Sequence, residues 1–534
     1  MNAALLLLLA VLAMIAGYLF YGRFLSRRLG LDPERRTPAH TRQDGVDYVP
    51  ARTPVLFGHH FASIAGAAPI IGPVTAALFG WIPVFLWVLI GSIFMGGAHD
   101  MSSLVASIRH RGRSIGEIIE ENIGVSGKTL FLIFALATLV LVVAVFAMIV
   151  ARTFAATPQA ASASVLFILL AVIFGQALYR LRLPLGIATA IGVILLFLCI
   201  WLGVSHPLTL GEGTWLWILL GYVFVASITP VWALLQPRDY LNSFLLYALL
   251  LGALIGILIQ QPTIHLPAFT GLRTSLGFMF PVLFVTVACG AISGFHSLVA
   301  SGTTAKQLNN ERDARPVGYG GMLTEGLLAV IALLAVSILT ASDHAARLAE
   351  AGPVALFSEG VGGFLGTLGI APVVGTSFAA LAVSAFALTS LDTATRLARY
   401  AFAELFIHGR ETEQAPPPSW TQNRYLGSAA VVAVSALLIF SGQWETLWPL
   451  FGSANQLLAA LALLAVSVWL TRRGRGATFV RLPMYFMFAV TLTALLSFAY
   501  NHLLAGEYLL SGLSVVLFVL AVVLAVHAAR ALKK

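Results

Sequence analysis

Apolar runs of about 20 residues recur along the whole chain, with shorter polar segments between them. A run of this length crosses the hydrocarbon core of a bilayer as one α-helix. We place these predicted helices near 2–22, 55–79, 81–106, 128–156, 161–180, 184–204, 215–236, 241–261, 277–302, 318–341, 366–395, 424–441, 446–471, 480–500 and 508–530. The pattern therefore predicts an all-α polytopic membrane protein with about 15 transmembrane helices.

The positions of the few charged residues support this count. Of 534 residues, 59% are hydrophobic and 10% are charged, against roughly 25% charged in soluble domains. With the N-terminus outside, alternating spans put every Lys and Arg on the cytoplasmic side except Arg152, Arg273 and Arg347. We therefore predict an outside N-terminus, a cytoplasmic C-terminus and an odd number of spans. The net charge of +9 then reflects cytoplasmic loops rather than nucleic-acid binding.

Common enzyme motifs are absent from the sequence. The two cysteines, Cys199 and Cys289, give neither a disulfide framework nor metal-ligand spacing. The segment Gly124–Thr129 resembles a phosphate loop, but Asn122 stands where the first glycine is needed. There is no HExxH, CxxC or GxSxG motif. We predict that the protein is not an enzyme and has no catalytic residue, metal site or cofactor.

The predicted second helix contains an unusual stretch, FGHHFASIAGAAPIIGP, at residues 57–73. Its glycines and prolines weaken the helical hydrogen bonds, and lipid offers no replacement for them. Freed backbone groups at membrane depth are tolerated when they line a cavity, and secondary transporters build binding sites in this way. The alternative is a proline-kinked packing helix whose glycines admit close neighbours.

The helices from the second to the eleventh form two adjoining blocks of five. Because five is odd, the second block starts from the opposite side of the membrane, as an inverted repeat requires. Each block opens with a proline-interrupted helix, the first at Ala65–Pro69 and the second at Ser227–Trp232. The predicted units are an N-terminal helix and loop, 1–54, two repeats, 55–204 and 205–407, and accessory helices, 408–534.

Ionisable residues inside spans are costly, so each is a functional candidate by default. Asp100, His296, Glu325 and Asp392 are predicted to exchange a coupling ion, because imidazoles and buried carboxylates can titrate near neutral pH. The alternative is a set of helix-end groups or fixed structural pairs. The adjacent pair Arg238–Asp239 is interpreted as a helix boundary whose charges pair with loops.

Several long motifs are similar to one known family. They are YVPxxxxVLFGHHFASIAGAAPIIGPV (48–74), PVWALLQPRDYL (230–241), ACGAISGFHSLVASGTT (288–304), ALTSLDTATR (387–396) and LWPLFGSANQLLAA (447–460). Over roughly 45–460, the chain resembles the carbon starvation protein A (CstA) family. The segment 341–363 is compact where familiar members carry a long insertion, so the chain resembles a short variant.

The resemblance implies a proton-driven uptake protein for pyruvate or small peptides in a bacterial inner membrane. It also implies a five-plus-five inverted-repeat core like that of the amino acid–polyamine–organocation superfamily (APC/LeuT-like). The leading hypothesis is a symporter that imports a small carboxylate-bearing nutrient with H⁺, or alternatively Na⁺. The predicted substrate-binding residues are Gly58, His59, His60, Ser63, Gly66, Ala67, Ser227, Thr229 and Trp232. The alternative is a membrane sensor that binds the nutrient without net transport. Apart from the bilayer and this substrate no partner is predicted, and the sequence leaves the oligomeric state open.

Overall fold

The computed structural model describes residues 2–45, 47–406, 420–421, 423–440 and 444–533. Its longer helices are α1 Ala3–Leu29, α2 Thr53–Ala65, α3 Ala68–Phe79, α4 Trp81–Arg109, α5 Ile115–Asn122, α6 Val125–Ala156, α7 Pro158–Tyr179, α8 Leu185–Ser205, α9 Glu212–Ile228, α10 Leu235–Gln260, α11 Met279–Thr286, α12 Gly294–Gly302, α13 Glu311–Ser337, α14 Ala341–Gly366, α15 Pro372–Leu405, α16 Arg424–Phe440, α17 Trp444–Arg472, α18 Thr478–Leu504 and α19 Tyr508–Lys533. One antiparallel pair of two-residue strands joins β1 Arg273–Thr274 to β2 Gly277–Phe278, with Arg273 opposite Phe278 and Thr274 opposite Gly277. Of the predicted C-terminal unit 408–534, residues 408–419, 422, 441–443 and 534 lie outside the described residues.

An all-helical membrane fold is confirmed. Within the described ranges, 11 helices are long and apolar enough to cross a membrane, or 12 when the bent pair α2 and α3 is one span. The predicted count of about 15 is larger because it includes shorter helices. Helices α9 and α16 have 17 residues each, and α11 and α12 have eight and nine.

The predicted interruption of the second span is confirmed. Helix α2 ends at Ala65, helix α3 starts at Ala68, and the two axes differ by 43°. Gly66 has φ 37° and ψ −162°, a conformation that a residue with a Cβ rarely adopts. A Cβ there would also lie 2.9 Å from the hydroxyl of Ser390 and 3.3 Å from the ring of Phe146. Backbone conformation and close packing therefore both require glycine.

The predicted interruption of a span at Ser227–Trp232 is wrong. Helix α9 ends at Ile228 and a separate helix, α10, starts at Leu235, so Pro230 lies in a connection between helices. Thr229, the residue before this proline, is extended at φ −75° and ψ 142°, as proline favours in its predecessor. The second interruption instead divides the predicted helix 277–302, where residues 287–293 separate α11 from α12.

Helix α14 was not predicted, because its sequence lacks a long apolar run. It begins with the side chain of Thr340 accepting a hydrogen bond from the amide of Asp343, and it bends at Gly352 (φ 78°) beside Pro353. Its charged residues face the surface, whereas His344 is buried and donates from Nε2 to the carbonyl of Val74 at 2.9 Å. This contact ties α14 to helix α3.

The two longest helices, α6 with 32 residues and α15 with 34, pack along each other in the centre of the molecule. Helices α2 and α10 pack beside α15, and α3 and α4 pack against α13. The result is a central group of helices in which both interrupted segments are enclosed by other spans.

Several segments predicted to be cytoplasmic meet at one face of the molecule. Glu311 accepts a hydrogen bond from the amide of Asp32 at 2.9 Å and pairs with Arg109 at 2.7 Å. Asp47 accepts from the hydroxyl of Tyr400 at 2.7 Å. Since these residues belong to four distant parts of the chain, the face is held together by polar contacts between loops and helix ends.

Candidate functional site

A group of charged and polar side chains, all buried except the half-buried Tyr222, lies between helices α2, α9, α10 and α15. We call it the arginine cluster; its members are His59, Tyr222, Arg238, Asp239 and Asp392. Arg238 donates from Nη2 to Asp239 Oδ1 at 2.7 Å, and its Nη1 contacts Asp392 Oδ2. Tyr222 donates its hydroxyl to Asp392 at 2.6 Å, and His59 Nδ1 donates to Asp239 Oδ2 at 2.8 Å. Side chains from helices α9, α10 and α15 thus meet at the guanidinium group of Arg238.

Ser63 connects the arginine cluster to the interruption between α2 and α3. Its hydroxyl lies 3.5 Å from Asp239 Oδ2 and 3.3 Å from the hydroxyl of Thr393, and its carbonyl accepts from Ser390 at 3.0 Å. Gly66, three residues further on, packs against the same Ser390. Among the described residues, no side chain is seen to cap the start of helix α3 at Ala68. The interruption, with its uncapped helix start, therefore lies beside the cluster.

A second group links helices α4, α12 and α13. We call it the histidine chain; its members are His99, Asp100, His296 and Glu325. Asp100 accepts from His99 Nδ1 at 2.7 Å and from His296 Nδ1 at 2.8 Å. The other ring nitrogen of His296, Nε2, lies 3.2 Å from Glu325 Oε2. All four side chains have zero exposure. His296 thus stands between two carboxylates of different helices.

Close packing of glycines brings these helices together. A Cβ on Gly96 would lie 2.3 Å from the carbonyl of Ala291, and one on Gly97 would lie 2.4 Å from the ring of Tyr319. The small residues before Asp100 therefore let other segments of the chain approach closely. His60 lies beside this contact, with Nδ1 2.8 Å from the hydroxyl of Thr304 and its ring against Gly321.

The interruption at 287–293 is satisfied by side chains from a neighbouring helix. Asn455 on α17 accepts from the amide of Phe295 at 2.8 Å and donates to the hydroxyl of Ser293 at 3.0 Å. Trp87 donates to the carbonyl of Val287 at 3.1 Å, and Gln456 donates to the carbonyl of Phe284 at 2.6 Å. Asn455 and Gln456 thus make structural hydrogen bonds to this segment and to the end of α11.

The two charged groups differ in electrostatics. Burial of an uncompensated charge costs several kcal/mol, so buried charges need partners. In the arginine cluster one permanent cation faces two carboxylates, Asp239 and Asp392. In the histidine chain two carboxylates contact only imidazoles, whose charge depends on protonation. The histidine chain can therefore change its charge by taking up or releasing protons.

A cavity of about 1040 Å³ opens on the face where the basic segments meet. We call it the vestibule; polar residues that line it include Tyr48, Glu117, Lys306, Tyr400 and Glu404. Along α6 its lining runs from Val125 to Leu139, about 21 Å of helix. Its walls also include Leu298 on α12, two residues from His296. The vestibule thus extends from the surface along α6 and reaches α12, the helix that carries His296.

Aromatic rings hold a cation at the side of the vestibule. The ammonium group of Lys306 lies 4.4 Å from the ring centroid of Tyr400 and 5.5 Å from that of Tyr48. Burial of this ammonium group disfavours its charge, but the nearby Tyr400 and Asp47 outweigh that effect and raise the pKa of Lys306 above its ordinary value. Lys306 is therefore charged across the physiological pH range.

The structure brings together three of the four predicted coupling residues, Asp100, His296 and Glu325. Asp392 lies instead in the arginine cluster. Arg238 and Asp239 do stand at a helix boundary, close to the start of α10 at Leu235, but their predicted pairing with loops is wrong. Both are buried and pair with each other and with a neighbouring span. The sequence signal that could have identified Arg238 and Asp239 as site residues was the PRDY motif, which is part of the family resemblance. No sequence feature identified Tyr222.

The predicted substrate-binding residues fall into two places. Those near Gly66 are buried together. His59 contacts the arginine cluster, His60 contacts the hydroxyl of Thr304, and Gly58 packs against Ser243 of α10. Those near Pro230 lie at the end of α9 and the following turn. There the hydroxyl of Ser227 contacts Ser428, Thr229 bonds back to Val225, and Trp232 contacts the ring of Tyr179. Because the chain leaves one span and enters the next at Pro230, the second set marks a connection between helices.

Within the described ranges, no group of three or more His, Cys, Asp and Glu side chains is arranged to hold a metal ion. A solved mutant of the manganese transporter of Eremococcus coleocola has a similar fold. The TM-score is 0.50 at 12% identity, over 92% of this chain and 98% of the other. The likeness shows the fold alone.

Fold, interrupted span and buried charges together define a multi-pass membrane protein of the transporter class. The chain belongs to the family described as carbon starvation protein CstA, whose model matches residues 2–347 and 342–494. The family resemblance of the motifs is thereby confirmed.

Curated relatives carry transporter names. A protein of Mycobacterium tuberculosis H37Rv named "Peptide transporter CstA" is 34% identical over 92% of this chain and 75% of its own length. The protein of the same name from Escherichia coli K12 is 34% identical over 92% and 80%. "Pyruvate/proton symporter BtsT" of Escherichia coli K12 is 32% identical over 86% and 76%. These names agree with a transporter that is not an enzyme and give no support to the sensor alternative.

Proposed function

We propose that the protein is a proton-coupled symporter that imports a small carboxylate-bearing nutrient, either pyruvate or a short peptide, across a bacterial inner membrane. The observation that carries this proposal is the histidine chain, in which His296 stands between Asp100 and Glu325 on different helices. The relatives named as a peptide transporter and a pyruvate/proton symporter point to the same two substrates and to H⁺.

The proposed coupling uses the titration of His296 and Glu325. When both are charged, His296 is held between two carboxylates, and its ion pairs join α4, α12 and α13. Adding a proton to Glu325 removes one of these pairs and weakens the contact between α12 and α13. Imidazole and buried carboxyl groups suit H⁺ exchange near neutral pH, whereas Na⁺ prefers a shell of oxygen ligands. H⁺ is therefore the coupling ion that we propose, and no other cofactor is required.

The proposed architecture has fifteen spans, counting α2 with α3 and α11 with α12 as one broken span each, and leaving α5 and α14 outside the count. We propose an inverted repeat with boundaries that differ from those predicted. The first repeat comprises α2 with α3, α4, α6, α9 and α10, and the second comprises α11 with α12, α13, α15, α16 and α17. Helices α7 and α8 are an insertion in the first repeat.

Three correspondences support this division. Each repeat opens with a broken span, each has its longest helix third, and each has a 17-residue helix fourth. The two third helices, α6 and α15, also pack against each other, and so do the two fourth helices, α9 and α16. Seven spans separate the two starting points, and because seven is odd the repeats have opposite orientations.

We propose that the face with the vestibule is cytoplasmic, with the N-terminus outside and the C-terminus inside. The excess of Lys and Arg at this face supports that orientation. In this orientation the vestibule is an inward-facing pathway. The substrate would leave the centre of the molecule through it after passing the interruption at Gly66.

The proposal is tested with purified protein in liposomes, by measuring uptake of labelled pyruvate and labelled dialanine. We expect an inside-alkaline pH gradient to drive accumulation of at least one of the two, and a protonophore to abolish it. A sodium gradient of the same size, without a pH gradient, should drive none. Saturable binding of either compound without flux under any gradient would contradict the proposal.

A further inference from the structure

We propose that Arg238 binds the carboxylate group of the transported substrate, and that Asp392 is the internal carboxylate that the substrate displaces. This inference rests on the proposed import of a carboxylate-bearing nutrient and adds the residue that recognises it. The carboxylate is common to pyruvate and to the C-terminus of a peptide. One site would therefore serve both substrate types.

The position of Arg238 supports this role. Arg238 and Arg396 are nearly fully buried, with exposures of 1% and 2%. Arg396 donates to the carbonyl groups of Ala226 and Thr229 at the end of α9, which is a structural role. Arg238 instead faces side chains, and Ser63 links its partner Asp239 to the interruption at Gly66. A guanidinium beside an uncapped helix start is suited to an anion.

The two edges of the Arg238 guanidinium are held unequally. Nε and Nη2 both donate to Asp239 Oδ1, at 3.2 and 2.7 Å, and the other oxygen of Asp239 accepts from His59. Asp239 is thus fixed on both of its oxygens. The remaining edge, Nη1, meets Asp392 through one oxygen, and Asp392 Oδ1 has no hydrogen-bond partner among the described residues.

This asymmetry identifies the exchangeable partner. A carboxylate with a free oxygen loses fewer hydrogen bonds on leaving than one bonded on both sides, so Asp392 leaves more easily than Asp239. The entering carboxylate takes over the contact with Nη1 and accepts from the hydroxyl of Tyr222, which lies 2.6 Å from Nη1. Guanidinium groups bind carboxylates with high geometric specificity, so an amide in its place binds less well.

Charge balance links this exchange to one proton. Before the exchange, one guanidinium faces the carboxylates of Asp239 and Asp392. Afterwards it faces Asp239 and the substrate carboxylate, while Asp392 carries a proton and is neutral. The net charge of the cluster is the same in both states, so substrate entry with one proton avoids burying an additional charge.

The experiment compares each substrate with its neutral amide, using wild-type protein and the variant Arg238→Gln. Pyruvamide and dialaninamide compete with labelled pyruvate and dialanine uptake, and the same four compounds are tested for thermal stabilisation of the purified protein. We expect the wild type to prefer each carboxylate over its amide by roughly 30-fold or more. In Arg238→Gln this preference should fall to near unity, and Arg238→Lys should retain part of it.

A second variant distinguishes recognition from a structural role. Asp392→Asn removes the internal competitor, so we expect it to bind pyruvate or dialanine about tenfold more tightly than the wild type, while coupled accumulation is lost. A residue that only supports folding would not gain affinity when its partner is neutralised. The inference is overturned if a monodisperse Arg238→Gln keeps the carboxylate preference, or if Asp392→Asn binds no more tightly. Absence of flux in the wild type would contradict the proposed function alone, because thermal stabilisation tests Arg238 without transport.

Discussion

The two interrupted segments of this protein are built differently. At residues 287–293, Asn455 caps helix α12 and Trp87 bonds to the carbonyl of Val287. At Gly66, no side chain from the described part of the chain caps helix α3. The neighbouring charges differ as well: the segment at 287–293 leads into His296 of the histidine chain, whereas Gly66 lies beside the arginine cluster.

This difference separates two tasks within one site. An uncapped helix start beside a permanent cation is suited to an anionic ligand, because the positive end of the helix dipole and the charge both favour it. A capped interruption followed by an imidazole between carboxylates is suited to holding and releasing a proton. The comparison supports substrate recognition at the first interrupted segment, where Asp392 takes up the proton that accompanies the substrate. It supports exchange of the coupling proton through His296 and Glu325 after the second segment.

The largest effect is expected from neutralising the centre of the histidine chain. Asp100 accepts from the imidazole N–H groups of both His99 and His296. In Asp100→Asn one acceptor oxygen becomes an NH₂ donor, so one of these two histidines loses its acceptor. We expect uptake to fall on the order of 100-fold, since breaking a buried charged pair costs about 3–5 kcal/mol. The rate of uptake of labelled substrate into proteoliposomes measures this decrease.

The matched control is Asp343→Asn at the exposed start of α14, which should transport like the wild type. Normal proton-coupled uptake by a monodisperse Asp100→Asn variant would remove Asp100 from the mechanism and leave the histidine chain as a structural feature.

A smaller effect is expected at the uncapped interruption. Gly66→Ala places a Cβ 2.9 Å from the hydroxyl of Ser390 in a strained backbone conformation. We expect a loss of about 1–3 kcal/mol in stability and a clear reduction in the maximal uptake rate. The control is Gly221→Ala in α9, where a Cβ meets nothing within 4 Å. If both variants behave alike in melting temperature and uptake, the special conformation of Gly66 has no role.

The smallest effect concerns the anchor of helix α3. Burial lowers the pKa of His344 below its ordinary value, and the bond to Val74 only partly opposes this. The native state then binds a proton less readily than the unfolded state, so this contribution to stability is present above about pH 6.5 and is lost as the pH falls. When the pH is lowered from 7.5 to 5.5, we expect the melting temperature of His344→Gln to fall by about 1 °C less than that of the wild type. An equal loss in both would show that His344 is not the group responsible.

Much of the fold could be predicted from the sequence, because apolar runs of spanning length form α-helices in a bilayer. The break at Gly66 was also predictable, since glycine and proline act locally. Helix α14 was missed because its apolar face alternates with charged residues such as Arg347 and Glu359. The predicted interruption at Pro230 was wrong for a related reason. A proline indicates the end of a helix, but it does not indicate whether the chain continues in the same span or enters the next one.

The candidate site was predictable in composition but less so in pairing. Ionisable residues within apolar runs identified Asp100, His296 and Glu325, because such residues are rarely placed in a membrane without partners. Which residues meet depends on how distant helices pack. Asp392 could not be assigned to Arg238 without the contact between α10 and α15, and Tyr222 carries no charge that would mark it.

The most direct test of the division between the two interrupted segments is proton movement in the variant Glu325→Gln. In proteoliposomes with a pH indicator inside, pyruvate or dialanine added outside should acidify the lumen with wild-type protein. With Glu325→Gln, exchange of labelled substrate for unlabelled substrate should continue while acidification is lost. Substrate-driven acidification at the wild-type rate in Glu325→Gln would contradict the account.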